Sequence, residues 1–158
     1  MIEFNGYIDG LAERFYKNNS RKIVTKTFMG ALILFAPIVI FCAIKMQLWA
    51  LLIFYGAILL ITPLICFIPP GKKYLKSMTP KRIFTEDEYI VCQGDKFEEY
   101  NLIEDSTKVI DYGSFYHILF RFGKASDAFI CQKELLTKGT LEEFEALFEG
   151  KIERRQSK

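Results

Sequence analysis

The chain has few of the residues that most site chemistry depends on. It contains one histidine, His117, and four cysteines in 158 residues, with no CxxC pair among them. That pattern argues against a zinc finger, whose ligands come at finger spacing, and leaves Cys92, Cys131 and His117 without a fourth ligand. No glycine-rich loop of phosphate-cradling type occurs. Asp111, Ser114 and His117 lie close in sequence, but in one strand and its turn, which does not make a nucleophile with a positioned base. We therefore expect no catalytic residues, no cofactor, no metal and no enzymatic activity.

Charge is the second absence. From Thr27 to Ile68 the only strongly ionisable side chain is Lys45, although the whole chain is a quarter charged and carries a net +2. As one helix these 42 residues would span roughly 63 Å, twice the hydrocarbon thickness of a bilayer, so the stretch must turn. A turn at Lys45, Met46 and Gln47 leaves spans of residues 27–44 and 48–68, each matching one crossing. It also moves Lys45 from the bilayer centre, where it would cost about 2.5–3.5 kcal/mol, to an interface. Trp49 suits the same interfacial belt.

Charged residues fill the positions before the first span, which is unlike a cleaved signal peptide. Five basic residues precede that span (Arg14, Lys17, Arg21, Lys22 and Lys26) and five follow the second (Lys72, Lys73, Lys76, Lys81 and Arg82). Only Lys45 lies in the turn. The positive-inside rule then predicts a multi-pass protein of the plasma (inner) membrane with both termini cytoplasmic. It also accounts for the basic residues without nucleic acid.

Folding the hairpin symmetrically about its turn sets Ala43 against Ala50 and Ala36 against Ala57, small residues that would let the two arms approach closely. With no ionisable group inside the spans, an anchor is expected rather than a transport pathway. Pro69, Pro70 and Gly71 end the hairpin. Residues 69–82 form a basic linker in which Lys72, Lys73, Lys76, Lys81 and Arg82 are expected to contact the membrane surface, each contributing about 1 kcal/mol near an anionic leaflet.

Beyond Arg82 the periodicity changes to short alternating runs broken by turn residues: RIF, YIVCQ, KFEEYNL, KVIDY, FYHILFRF and DAFICQ. A helix follows. Thr140 and Glu143 form a capping box, Leu141, Phe144, Leu147 and Phe148 an apolar face, and Gly150 stands at the C-terminal stop. Residues 1–26 read as a strand, IEF, and an amphipathic helix whose apolar face includes Ile8, Leu11, Ala12, Phe15 and Tyr16; docking on the domain is preferred to lying on the membrane. The fold class is thus an α+β membrane protein, a transmembrane helical hairpin plus a small antiparallel sheet capped by a C-terminal helix. That is the outline of a pleckstrin-homology-like (PH-like) domain over residues 83–150, with a charged tail at 151–158.

The two spans with TPKRIFTEDEYIV (Thr79 to Val91), YNLIEDSTKVIDYGSFYHILF (Tyr100 to Phe120) and TLEEFEALF (Thr140 to Phe148) resemble the YcxB-like family over nearly the whole chain. Tyr100 departs from it, standing where tryptophan is expected. The resemblance implies a small bacterial membrane protein with a cytoplasmic PH-like part, and carries no residue-level activity. From Ile83 onward there are 16 acidic and 10 basic residues, a balance that disfavours a headgroup site in the domain. The expected function is a membrane-anchored protein-interaction or regulatory module whose partners are the bilayer and a membrane or membrane-proximal protein. The alternatives are a lipid-headgroup-binding module or a small oligomeric pore or transport accessory.

Overall fold

The structure, a computed structural model, describes residues 1–66, 79–121 and 129–155. Lys72, Lys73 and Lys76 of the basic linker, Pro69 to Gly71 and the expected turn at Gly123 and Lys124 lie outside them. The chain divides into two compact units, one of residues 1–16 with the chain from Pro70 onward, the other Lys17–Pro69.

In the first unit, alternating apolar residues form two sheets. Strands β1 (Glu3–Asn5), β2 (Arg82–Glu86), β3 (Tyr89–Gln93), β4 (Glu98–Leu102) and β8 (Leu136–Lys138) make a five-stranded antiparallel sheet in the order β4-β3-β2-β1-β8. Strands β5 (Ser106–Asp111), β6 (Phe115–Phe120), β7 (Ile130–Gln132) and β9 (Ile152–Arg154) make the second, in the order β7-β6-β5-β9. The β2–β3 hairpin closes through Asp87 at φ 49°, a left-handed position that aspartate tolerates. Phe115 to Phe120 is an inner strand, buried at five of its six positions because both of its faces are covered.

One side of each sheet feeds a common core. Phe4, Ile83, Ile90 and Cys92 from the first sheet meet Val109, Tyr116, Ile118 and Cys131 from the second. Helix α3 (Leu141–Leu147) closes this core with Phe144, fully buried. Its start is set by the expected capping box: the Glu143 amide donates to Thr140 Oγ1 and the Thr140 amide to Glu143 Oε2, both at 3.1 Å. The other side of the second sheet receives the N-terminal segment. Ile8 and Ala12 pack with Phe115 and Ile130, and the Phe15 ring lies 5.3 Å from Phe115 and 4.9 Å from Tyr112. The expected docking of this segment is what the structure has.

Three features differ from the sequence reading. The first sheet is antiparallel as expected, but the second contains a parallel pair, β5 with β9, so part of the charged tail is a strand. Three residues following a helix, IER, carry too short a pattern to be read as one. Second, helix α1 (Gly10–Lys45) runs unbroken through the boundary expected near residue 26. Asn18, Asn19 and Ser20 are weak helix formers, not breakers. Third, the symmetric hairpin seam does not form. Ala43 is buried and Ala36 half-buried, but Ala50 and Ala57 are exposed. The inward side of helix α2 (Trp49–Cys66) carries Leu52, Tyr55, Leu59 and Thr62 instead. The turn sets the rotational phase of the second helix, and no symmetry of sequence about Lys45 determines that phase.

In the second unit α1 ends at Lys45, and Gln47 takes a left-handed conformation (φ 55°) with the Leu48 amide donating to the Ala43 carbonyl. Lys45 is therefore a helix end, as expected. The Tyr55 hydroxyl donates to the Leu32 carbonyl. Among the described residues α1 is the one helix long and apolar enough to cross a membrane; the apolar run Trp49–Leu64 is shorter. Leu34, Ile53, Phe54 and Leu60 are each more than 70% exposed, and apolar surface of this extent marks contact with lipid or protein.

Candidate functional site

The outward side of the five-stranded sheet gathers the groups that are not used by the core. Antiparallel register aligns Arg82, Gln93 and Glu98 in one row and Phe84, Val91 and Tyr100 in the next, with Glu3 opposite Phe84. Glu3 alternates with Ile2 and Phe4, both in the core, so its carboxylate points to this outer face. There it meets Arg82 Nε at 2.8 Å and Lys138 Nζ at 2.9 Å. The hydrogen bond from Arg82, then that from Lys138, lowers its pKa from 4.5 to about 2. The Arg82 guanidinium also lies 4.4 Å from the centre of the Phe84 ring.

Arg82 is thus a strand residue committed to Glu3, not a free cation of the basic linker. Lys81 is exposed, its main chain hydrogen-bonded to Gly6 and Gln93.

A groove of about 910 Å3 borders this region, lined from the outer face by Phe84, Glu86, Glu98 and Tyr100 and from the core side by Ile2, Thr85, Glu143 and Leu147. Arg82 is its one basic lining residue among those described, and Glu3 already neutralises it. Tyr100 is half exposed and stands edge-on to Tyr89, ring centres 6.4 Å apart. Partial desolvation and the nearby Glu98 carboxylate raise its phenol above the ordinary value.

The β4 edge adds backbone groups. Gly94 donates to the Phe97 carbonyl and Ile103 to that of Glu88. The alternation of an antiparallel ladder then turns the main-chain N–H and C=O groups of Glu98, Tyr100 and Leu102 away from β3. No described strand pairs with that edge.

The residues weighed for catalysis do not converge. Asp111 lies opposite Tyr116 and His117 opposite Ile110, so Asp111 and His117 point to opposite sides of the second sheet. Asp111 is held by Lys133 at 2.9 Å and by the Gly113 amide. Cys131 lies opposite Tyr116, again on the side away from His117. Among the described residues no cluster of three His, Cys, Asp or Glu side chains has metal-binding geometry. Burial pushes both core thiols, Cys92 and Cys131, well above their usual range.

The groove has no signature in the sequence because its members come from elements far apart in the chain. The alternation of Ile2, Glu3 and Phe4 signals only that Glu3 turns away from the core. No family model, curated protein or solved structure matches the chain.

The Glu3 ion pairs make a prediction. Because the folded-state pKa is depressed, their stabilisation is complete above the ordinary pKa of 4.5 and is lost as pH falls towards about 2. Glu3→Gln should lower stability by about 1–2 kcal/mol at neutral pH, the partly exposed partners limiting the effect. In urea melts the gap between wild type and variant should close below pH 4.5. A gap independent of pH would assign the loss to packing.

Proposed function

We propose that the chain is a membrane-anchored, PH-like interaction module of the YcxB-like type. In this reading the α1–α2 hairpin crosses the inner membrane twice, both termini are cytoplasmic, and the groove over β2, β3 and β4 takes a basic segment of a membrane-proximal protein. The observation that carries it is the β4 edge, paired with no described strand, beside an aromatic, carboxylate-rich groove. An extended segment can add to such an edge through main-chain hydrogen bonds, while alternate basic side chains meet Glu86, Glu98 and the tyrosine rings. A tether raises the effective concentration of such a module near membrane proteins. Two sheets sharing one core under a C-terminal helix support the PH-like assignment, and the exposed apolar residues of α1 and α2 support insertion. The acidic rim repels phosphate, which disfavours headgroup binding in the groove.

Two measurements test this reading. A cysteine replacing Gln47 should react with a membrane-impermeant thiol reagent from outside the cell, and one replacing Ser157 should not; the reverse pattern would end the topology. A photo-crosslinking residue at Tyr100 should give a protein adduct in cells that weakens in a Glu86→Gln, Glu98→Gln background. An equal adduct from exposed Glu134, or none from Tyr100, would remove the groove from the proposal.

A further inference from the structure

A second cavity, within the helical unit, differs in chemistry from the acidic groove. It measures about 560 Å3, and its described lining is Asn18, Arg21, Lys22, Thr25, Lys26 and Met29 from α1 and Pro63 from α2. The α1 residues recur at three- and four-residue intervals and so share one side of the helix. Arg21 is half-buried, and its Nε is buried without a hydrogen-bond partner. Lys22 and Lys26 are exposed.

We infer that this cavity is a binding site for one anionic phospholipid. The phosphate sits among Arg21, Lys22 and Lys26, and the start of an acyl chain lies along Met29 and Pro63. Four points carry the assignment. The cavity volume falls within the roughly 300–1,000 Å3 typical of small-molecule sites. Along α1 its cations Arg21, Lys22 and Lys26 come before Met29, in the order a phospholipid presents headgroup and chain. A buried guanidinium N–H without a partner is costly, and a phosphate oxygen satisfies it. Basic pockets between membrane helices on the cytoplasmic side favour anionic headgroups. This inference rests on the two-crossing topology proposed above, which places Arg21 at the inner headgroup level.

The test uses the full chain reconstituted in nanodiscs of equal parts phosphatidylglycerol and phosphatidylcholine. After extraction into mild detergent, retained lipid is measured by native mass spectrometry. Wild type should retain phosphatidylglycerol over phosphatidylcholine by on the order of tenfold, the equivalent of one to two retained charge contacts. Arg21→Gln with Lys22→Gln and Lys26→Gln should reduce this to the bulk ratio. Met29→Trp keeps every charge but fills the apolar end, and should also abolish the preference while leaving helical circular dichroism unchanged. A preference that survives Met29→Trp would mean general surface attraction and would overturn the site. Displacement of retained lipid by millimolar inorganic phosphate would identify an ion site instead, and would also overturn it. Alkaline carbonate extraction separates the two levels of failure. A chain released from membranes refutes the topology and the lipid site with it, whereas a chain that stays in membranes without lipid preference refutes the site alone.

Discussion

A chain lacking residues 1–5 should lose the whole first unit, not a peripheral strand. β1 lies between β2 and β8, with Glu3 and Phe4 in register with both neighbours. Ile2 and Phe4 are each 4% exposed, and the Ile2 amide donates to Thr85 Oγ1 at 2.9 Å. Removing an isoleucine-sized and a phenylalanine-sized core side chain costs about 5 kcal/mol or more, even before two ladders are opened. A domain of this size is stable by only about 5–15 kcal/mol. The same argument applies to a fragment beginning at Thr79, which contains every other strand of both sheets. Both should lack a cooperative thermal transition and should exchange the β2 and β8 amides freely. A cooperative melt with protected amides in β2 and β8 would show that the sheet closes without its N-terminal strand.

Phe144→Ala should be the most damaging single substitution in α3. The ring is fully buried and meets Phe4, Tyr116 and Phe148 at centroid distances of 5.3, 4.8 and 5.0 Å. These contacts join the N-terminal strand, the second sheet and the closing helix. Truncation to alanine should cost about 3–5 kcal/mol, seen as a lower urea midpoint with little change in slope. Leu147, one turn on and 40% exposed, is the comparison, and alanine there should cost under about 1 kcal/mol. Comparable losses at both positions would contradict the core as described.

Local elements are legible in the sequence and long-range pairings are not, for a physical reason. The capping box at Thr140 and Glu143, the helix end at Lys45 and the strands β3, β5 and β6 depend on residues close together in the chain. The place of β1 between β2 and β8 depends on register with residues about 80 and 130 positions away, which no local periodicity encodes. β9 is three residues with two charges, and is a strand only because β5 offers it an edge. The same limit applies to the candidate groove. Phe84, Glu98, Tyr100 and Glu143 were visible as types, but they become one surface only once three strands and a helix are placed together.

The central position of β1 also sets a timetable for biosynthesis. About 130 residues separate Phe4 from its partner Leu136, and at about 5–20 residues per second the ribosome takes roughly 7–26 seconds to cover them. During that interval both apolar helices leave the ribosome while the first strand has only part of its sheet to join. β1, made before its partners β2 and β8, is among the last strands to be locked in. A chain stalled before Leu136 can pair β1 with β2 on one side but leaves its other edge, with Phe4, open to pairing with another chain.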